Sequence, residues 1–358
     1  MKRRQFIKSS IAATSTLAIP SILFPSPKKS IGVALVGLGY YSTDLLAPAL
    51  QLTNHCHLEG IVTGSPKKAV DWQKKFNLKD KNIYDYKSMH TIANNPDIDV
   101  VYIVTPNALH LKYVEIAANA GKHVWCEKPL EINAKQASKL VSVCKKNKVN
   151  LSVGYRMQHE ANTRTLIGWA KSKPYGNIKT VSAEAGWTAF GYRGWKLHKE
   201  LGGGAMYDMG TYPLNAARYT TGEDPIAVTA THHVTRPDIF NEVDETTKFI
   251  LEFPSGIIAN CTTTFGANVN RLNVECEKGS YGLTPFQSYH GVQGKTSDGI
   301  LLDTYVPNQQ ARQMDDDALS ILNNSPVMVP GEDGLKDMYI VDAIFDSAKE
   351  NGKRISLR

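Results

Sequence analysis

The chain has 358 residues, 42% of them hydrophobic, enough for a large core and two domains. Its formal net charge is +7, yet Lys2, Arg3, Arg4 and Lys8 carry four of those charges, and without residues 1–25 the net falls to +3. A body this mildly basic points to no nucleic acid and no membrane surface as partner, and five scattered cysteines give neither a disulfide framework nor a metal pattern.

The chain opens Met-Lys-Arg-Arg-Gln-Phe-Ile-Lys, with no acidic residue before Asp44. A mildly apolar stretch from Ser9 to Phe24 follows, broken by Pro20 and closed by Pro25-Ser26-Pro27. It is shorter than the ~20 residues a membrane span needs. Residues 1–25 therefore read as a signal peptide, and Arg3-Arg4-x-Phe6-x-Lys8 resembles a twin-arginine export signal. That reading implies the twin-arginine export machinery as a partner, no stable membrane insertion and a periplasmic location. An anchored or merely basic N-terminus is the alternative, and no clean Ala-x-Ala cleavage site is visible.

Residues 31–42 form an apolar strand running into Gly37-x-Gly39, with Ser42 at the third small position. This is the opening of a dinucleotide-binding βαβ unit. Gly37 permits the tight turn, and Gly39 lets a pyrophosphate approach bare backbone at a helix N-terminus. To about residue 153, Leu58–Thr63, Val100–Val104, His123–Cys126 and Leu151–Val153 read as buried parallel strands. Pro66–Phe76, Leu109–Ala120 and Ala134–Lys146 have helical spacing between them, so residues 31–153 are expected to form a doubly wound Rossmann domain. His55-Cys56-His57 sets two imidazoles on one side of a strand, but with no third ligand nearby no metal is expected.

The end of the second strand usually reports which nicotinamide cofactor is bound, because an acid there binds the ribose hydroxyls and repels a 2′-phosphate. Here Thr63-Gly64-Ser65-Pro66-Lys67-Lys68 stands instead, and Glu59 comes too early. The hydroxyls of Thr63 and Ser65 with the Lys68 cation make a phosphate cradle, favouring NADP over NAD. Ser65 also reads as a helix N-cap before Pro66, and both readings can hold.

After a helix near Ala161–Lys171 the texture changes. Lys179–Trp187, Ile226–His233, Thr246–Phe253 and Ile257–Phe265 alternate and are rich in β-branched and aromatic residues, with Pro254-Ser255-Gly256 as a tight turn. Residues 154–358 are thus expected to form an α+β domain with an open, mostly antiparallel sheet. One face would be covered by helices such as Ala205–Tyr219 and the other free for subunit contact. Gln309–Leu322 and Leu335–Glu350 read as C-terminal helices that can pack back on the first domain.

Chemistry-bearing residues gather at two places. Thr105-Pro106-Asn107-Ala108-Leu109-His110 and Cys126-Glu127-Lys128-Pro129 each follow a strand, at the sheet edge where ligands bind. In Leu201-Gly202-Gly203-Gly204-Ala205-Met206-Tyr207-Asp208-Met209-Gly210-Thr211-Tyr212, three glycines open a helix with Asp208 and Tyr212 one turn apart. Read singly, Tyr212 is also a core aromatic, Asp208 a first-turn anion and Lys128 a solvated loop residue.

Together, Gly-x-Gly, Glu-Lys-Pro and Gly-Gly-Gly-x-x-x-Asp-x-Gly resemble the glucose–fructose oxidoreductase/inositol dehydrogenase/rhizopine-catabolism (Gfo/Idh/MocA) family over nearly all of residues 31–358. Within it the likeness is greatest to the periplasmic, NADP-containing glucose–fructose oxidoreductase type, which has Tyr where most members carry a catalytic His. The resemblance implies a Rossmann domain joined to an open, mostly antiparallel sheet. It implies that Gly37, Gly39, Tyr40 and Tyr41 line the pyrophosphate, that Thr63 and Lys68 hold a 2′-phosphate, and that Tyr86 lies near the adenosine. Thr105, Pro106, Asn107 and His110 would run beside the nicotinamide, with Glu127 on its ribose and Arg156 and Lys196 completing the shell. Lys128, Asp208 and Tyr212 would be catalytic, Tyr212 moving a proton with its phenol made acidic by Lys128.

Two departures stand out. Asn215 replaces an acid that many members place three residues after the catalytic position, and only about Ser26–Ser30 remains where glucose–fructose oxidoreductase has a long arm over a neighbour's cofactor. A nucleotide lost outside the cytoplasm is not replenished, so export favours one retained NADP that oxidises an aldose to its lactone and reduces a second sugar. The alternatives are a sugar or polyol dehydrogenase with exchangeable NAD(P), an NAD-assisted glycosidase on the same fold, and a non-catalytic sugar-binding protein. An exposed sheet face makes a homodimer or homotetramer the expected assembly.

Overall fold

The computed structural model describes residues 28–192 and 194–357, so the expected signal segment, residues 1–25, lies outside the described residues. The first half is a six-stranded parallel sheet of β1 (Ile31–Val36), β2 (Cys56–Val62), β3 (Ile83–Tyr84), β4 (Val100–Ile103), β5 (His123–Cys126) and β6 (Leu151–Val153), in the order β3-β2-β1-β4-β5-β6. Every residue of β1, β4 and β6 is buried, as befits strands covered on both faces. β3 was not anticipated: two residues carry no periodicity.

The intervening helices are α1 (Ala47–Leu50), continuous with a π-wound turn at Tyr41–Leu46, α2 (Pro66–Phe76), α3 (His110–Asn119) and α4 (Ala134–Lys146). Local chemistry sets their ends. The Ser65 hydroxyl accepts the Lys68 N–H at 3.3 Å with Pro66 first in the helix, and α2 stops at Asn77 in the left-handed region (φ 52°). The Asn133 side chain accepts the Gln136 N–H at 2.9 Å to start α4.

Helix α5 (Ala161–Ser172) leads to a nine-stranded sheet. It contains β7 (Ile178–Gly186), then, after α6 (Thr211–Thr221), β8 (Ala227–His233), β9 (Thr246–Glu252), β10 (Ile258–Thr264), β11 (Val269–Cys276), β12 (Ser280–Leu283), β13 (Gly294–Thr296) and β14 (Leu301–Leu302). After α7 (Gln309–Leu322) and α8 (Gly331–Lys349), β15 (Ile355–Ser356) completes the order β14-β13-β12-β11-β7-β10-β9-β8-β15. The sheet is antiparallel except for β7 beside β10. It has more strands than the four named from the pattern: β11 was not among them, and the short β12–β15 lack a readable alternation. The expected tight turn is present, with Gly256 at φ 86° and its N–H on the Phe253 carbonyl at 2.9 Å.

One hydrophobic core runs from the Rossmann sheet through α4, α8 and α6 into the second sheet, joining residues such as Val101, Val124, Leu140, Ile344, Leu214 and Val181. The opposite face of the first sheet is covered by a separate cluster that includes Met314 and Ala318 of α7. Both C-terminal helices therefore return to the first half. Asp315 accepts the Asn54 and His55 N–H groups at 2.9 and 2.8 Å, and the Val153 N–H meets the Val329 carbonyl at 3.0 Å. Among the described residues, no helix is long and apolar enough to cross a membrane.

Candidate active site

A cleft of about 1000 Å³ follows the carboxyl ends of β1, β2, β4 and β5 and is closed by the second sheet and its loops. At its floor, Gly37 takes φ 91°, and a Cβ there would lie 2.7 Å from the Val104 carbonyl oxygen. Nothing lies within 4 Å of where a Cβ on Gly39 would stand, so its backbone opens onto the cleft. Ser42 is buried and its hydroxyl donates to the Gly37 carbonyl at 2.5 Å, fastening the turn rather than merely fitting it. Tyr40 is 67% exposed at the rim, and the half-buried Tyr41 ring lies 6.1 Å from that of Tyr289.

Beyond β2, the Thr63 hydroxyl accepts the Ser65 N–H at 3.2 Å, and the Lys68 ammonium reaches across to the Leu38 carbonyl at 2.6 Å. The hydroxyls and the cation expected to hold a phosphate thus share one wall. Tyr86 packs edge-on against Gly64 and stacks near Tyr113 with centroids 5.0 Å apart. Thr105, Pro106 and Asn107 line the next stretch. The Thr105 hydroxyl is buried without a partner among the described residues, and the Asn107 amide donates to the Gly202 carbonyl at 2.8 Å. The Glu127 carboxylate accepts from the Tyr102 hydroxyl at 2.6 Å. Its pKa is raised by burial, against the pull of Tyr102, Lys128 and Arg156.

Two expected cofactor ligands stand elsewhere. His110 is fully buried below the cleft, its ring nitrogens facing the Thr105 carbonyl at 3.0 Å and the Pro129 and Leu130 carbonyls at 3.0 and 3.2 Å. It pins the Thr105 loop to the turn after β5, which contains the cis Lys128–Pro129 bond. Burial lowers its pKa, so it is held as a neutral strut. Arg156, only 2% exposed, lies behind the wall, bonded to the Gln287 and Ser288 carbonyls and to Gln309. Neither position could be read locally; only the loops that fold over them reveal it.

The three residues expected to do chemistry converge at the far end. The Gly202–Gly204 segment leads into a π-wound turn, Met206–Gly210, before α6, and both Asp208 and Tyr212 face the cleft. The Lys128 ammonium sits 4.5 Å from the Tyr212 ring centroid and donates to the Asp208 carbonyl. The Asp208 carboxylate is held by the Lys196 ammonium at 2.8 Å and the Trp187 indole N–H at 3.0 Å. Burial would raise its pKa, but Lys196 and Lys128 overcome this and hold the carboxyl below its ordinary range. Tyr212 follows the same balance: burial and Glu127 push the phenol up, while Lys128 and Arg156 bring it below its ordinary value. Asn215, on the next turn, bonds Gln158 at 3.0 Å and Asp337 at 3.2 Å.

Trp187, Tyr192, Trp195, Asn270 and Tyr289 also line this end and were not anticipated. Trp187 closes an expected strand, and the others lie in stretches with no periodic pattern to mark them. The arrangement can bind an extended anionic ligand along the glycine turn and move a proton at the Tyr212 hydroxyl.

The cleft fits a dinucleotide on its own geometry: a glycine cradle with space for phosphate, helix N–H groups behind it, and an unpartnered buried Thr105 hydroxyl along the path. Residues 31–155 match the GFO/IDH/MocA oxidoreductase family, NAD-binding Rossmann fold, and residues 163–282 match the GFO/IDH/MocA C-terminal domain. The chain is 30% identical over 334 residues to an NADP(+) D-xylose 1-dehydrogenase of Haloarcula marismortui, covering 88% of this chain and 90% of that protein. A D-glucoside 3-dehydrogenase of Escherichia coli is 26% identical over 347 residues, 91% of this chain and 97% of its own length. The crystal structure of aldose-aldose oxidoreductase from Caulobacter crescentus, complexed with glycerol, superposes with a TM-score of 0.88 at 36% identity, covering 92% of this chain and all of that one.

Proposed function

The chain belongs to the Gfo/Idh/MocA oxidoreductase family, and on that premise we propose that it is a sugar–sugar oxidoreductase that works on one retained NADP. It is an NAD(P)-dependent oxidoreductase acting on CH–OH groups of sugars. In the proposed cycle an aldose is oxidised to its lactone and the carbonyl of a second sugar is reduced to an alcohol. The observation that carries the reading is Tyr212 held between Lys128 and Arg156 at the end of the glycine-lined cleft. The likeness to an enzyme named aldose-aldose oxidoreductase supports the pairing of two sugars.

When bound, the nicotinamide accepts and returns a hydride equivalent. The protein's share is proton movement and orientation. The Tyr212 phenolate takes the proton from the reacting sugar hydroxyl, and the phenol returns it to the forming alkoxide of the second sugar, so no net proton is exchanged. Asp208, with both oxygens fixed by Lys196 and Trp187, retains lone pairs to accept a neighbouring sugar hydroxyl. Gly37, Gly39, Tyr40 and Tyr41 would hold the pyrophosphate, and Glu127 a ribose. Thr63, Ser65 and Lys68 would hold the 2′-phosphate, which supports NADP over NAD. The Lys2–Lys8 segment supports folded export through the twin-arginine route, and retention of the nucleotide follows from that location. A homodimer or homotetramer remains part of the proposal.

The test is purification without added nucleotide. Bound NADP(H), seen by absorbance and fluorescence, should be reduced by one sugar and reoxidised by a second. A nucleotide-free protein that turns over no sugar pair ends the proposal. Turnover only with added NAD(P) makes it an exchangeable-cofactor dehydrogenase, and release of a glycoside leaving group without net oxidation makes it a glycosidase.

A further inference from the structure

We propose that Arg156, which does not line the cleft, is a positioning residue for the redox step: it docks the Gln287–Tyr289 loop against Tyr212 and supplies the fixed positive charge that a phenolate there requires. The proposal rests on the reading of Tyr212 as the proton carrier.

The geometry is that of a clamp. The guanidinium carbon lies 5.5 Å from the Tyr212 ring centroid and 4.7 Å from that of Tyr289, so one planar cation faces both phenols. Its terminal nitrogens are committed to the Gln287 and Ser288 carbonyls, to Gln309 of α7 and to the Met157 sulfur. The buried Nε–H has no such partner among the described residues. A buried donor without an acceptor is costly, and Arg156 is among the influences that favour the Tyr212 phenolate. A buried cation also needs compensating negative charge nearby. The phenolate supplies it when Tyr212 has lost its proton.

The groups facing Tyr212 are Lys128 and Glu127 from the turn after β5, Arg156 from the turn after β6, Lys196 from its own short turn, and the phenols of Tyr41 and Tyr289. Lys128 and Lys196 already have carbonyl or carboxylate partners in Asp208. Arg156 has no carboxylate partner among the described residues; its other bonds go to carbonyl, amide and sulfur acceptors. Like that of Lys128, which bonds only the Asp208 carbonyl, its charge is therefore left without an ion-pair partner beside the phenol. Tyr289, in contrast, is pushed up by burial and by Tyr212, and stays a protonated hydroxyl at the substrate end. One phenol poised to ionise and one held neutral give the cleft an acceptor and a donor on either side of the same guanidinium.

The experiment is a tyrosinate titration by ultraviolet difference absorbance on nucleotide-stripped full-length protein, alongside pH–rate profiles of the loaded enzyme. In the wild type the earliest phenol step should vanish in Tyr212→Phe; if it persists, the reading of Tyr212 fails. In Arg156→Met that step should move up by about one pH unit or more, and the limb of kcat should follow. Arg156→Lys keeps the charge but lacks the planar fork that reaches the Gln287 and Ser288 carbonyls, Gln309 and the Met157 sulfur together. It should leave the step near its wild-type place while KM for sugar rises several-fold as the Tyr289 loop loosens. A step unmoved in folded Arg156→Met overturns the proposal while leaving the function standing. If Arg156→Met does not fold, a step in Arg156→Lys displaced as far as expected for charge removal overturns it instead.

Discussion

The Lys128 ammonium stands over the face of the Tyr212 ring, 4.5 Å from its centroid, while its proton is donated to the Asp208 carbonyl one turn earlier in the same segment. Lysine, phenol and carboxylate-bearing turn are thus tied into one unit, and loss of the ammonium removes one of the two cations that offset burial of the phenol. Lys128→Met should displace the rising limb of kcat/KM about 1–2 pH units upward and lower the rate near neutrality roughly 10–100-fold. The sign follows from the base: the rate needs the phenolate, so a weaker acid works only at higher pH. A profile superimposable on the wild type would remove Lys128 from the mechanism.

Tyr212→Phe deletes the proton carrier and leaves the ring that packs beneath Lys128. Turnover should fall by about 10²–10⁴-fold, the span of general acid–base catalysis. Nucleotide content measured after purification should stay near wild type, since the glycine turn is untouched. Undiminished turnover would assign the proton to another group.

The two glycines of the first turn should part company. Gly37→Ala places a side chain at φ 91° and 2.7 Å from the Val104 carbonyl, so it should cost about 1–3 kcal/mol of stability by urea unfolding. Gly39→Ala meets nothing within 4 Å and should unfold like the wild type while binding nucleotide far more weakly. Equal nucleotide affinity in Gly39→Ala would show that the phosphates lie elsewhere.

Lys68 bridges from α2 to the Leu38 carbonyl, over the wall that carries Thr63 and Ser65. Lys68→Ala should weaken NADP about tenfold, the worth of one charge-assisted contact, while NAD changes by less than about twofold. Calorimetric titration of both nucleotides decides it, and equal losses would place the 2′-phosphate away from this lysine.

Asp317 is buried, accepts the Ser152 hydroxyl at 2.7 Å through one oxygen and leaves the other without a partner. Burial pushes its pKa up to about 6, with His159 opposing. The native state then binds this proton more tightly than the unfolded chain, whose value is near ~3.9. The stabilisation is full below about pH 4 and is lost as pH rises to about 6, a swing of order 3 kcal/mol. Asp317→Asn, which keeps an acceptor for Ser152, should therefore gain stability at pH 8 and not at pH 4. Equal effects at both values would mean the carboxyl is not titrating as described.

Much of this was legible in the residues. Buried strands such as His123–Cys126 and the helices Pro66–Phe76, Ala134–Lys146 and Gln309–Leu322 follow from local patterns that tertiary structure leaves intact, whereas bringing Lys128 to Asp208 and Tyr212 came only with the family resemblance. What could not be read depends on distant chain. The family resemblance put His110 and Arg156 in the cofactor shell; their partners, at Pro129–Leu130 and Gln287–Gln309, lie some 20 and 130–150 residues on. Tyr289 sits in a loop between two short strands whose alternation is too brief to register. The π-wound turns at Tyr41–Leu46 and Met206–Gly210 leave no periodic mark either, since each occupies about one turn.

The return of α7 and α8 to the first sheet has a consequence for biosynthesis. The edge strand β6 gains its outer bond from Val329, its serine is held by Asp317, and the loop before β2 is tied down by Asp315. A ribosome that has delivered only the nucleotide-binding half has made a sheet with an open flank and uncovered apolar residues facing the missing α7. Coenzyme capture should then wait for the residues from Gln309 onward, and a fragment lacking them should aggregate rather than emerge as a small, self-sufficient binder.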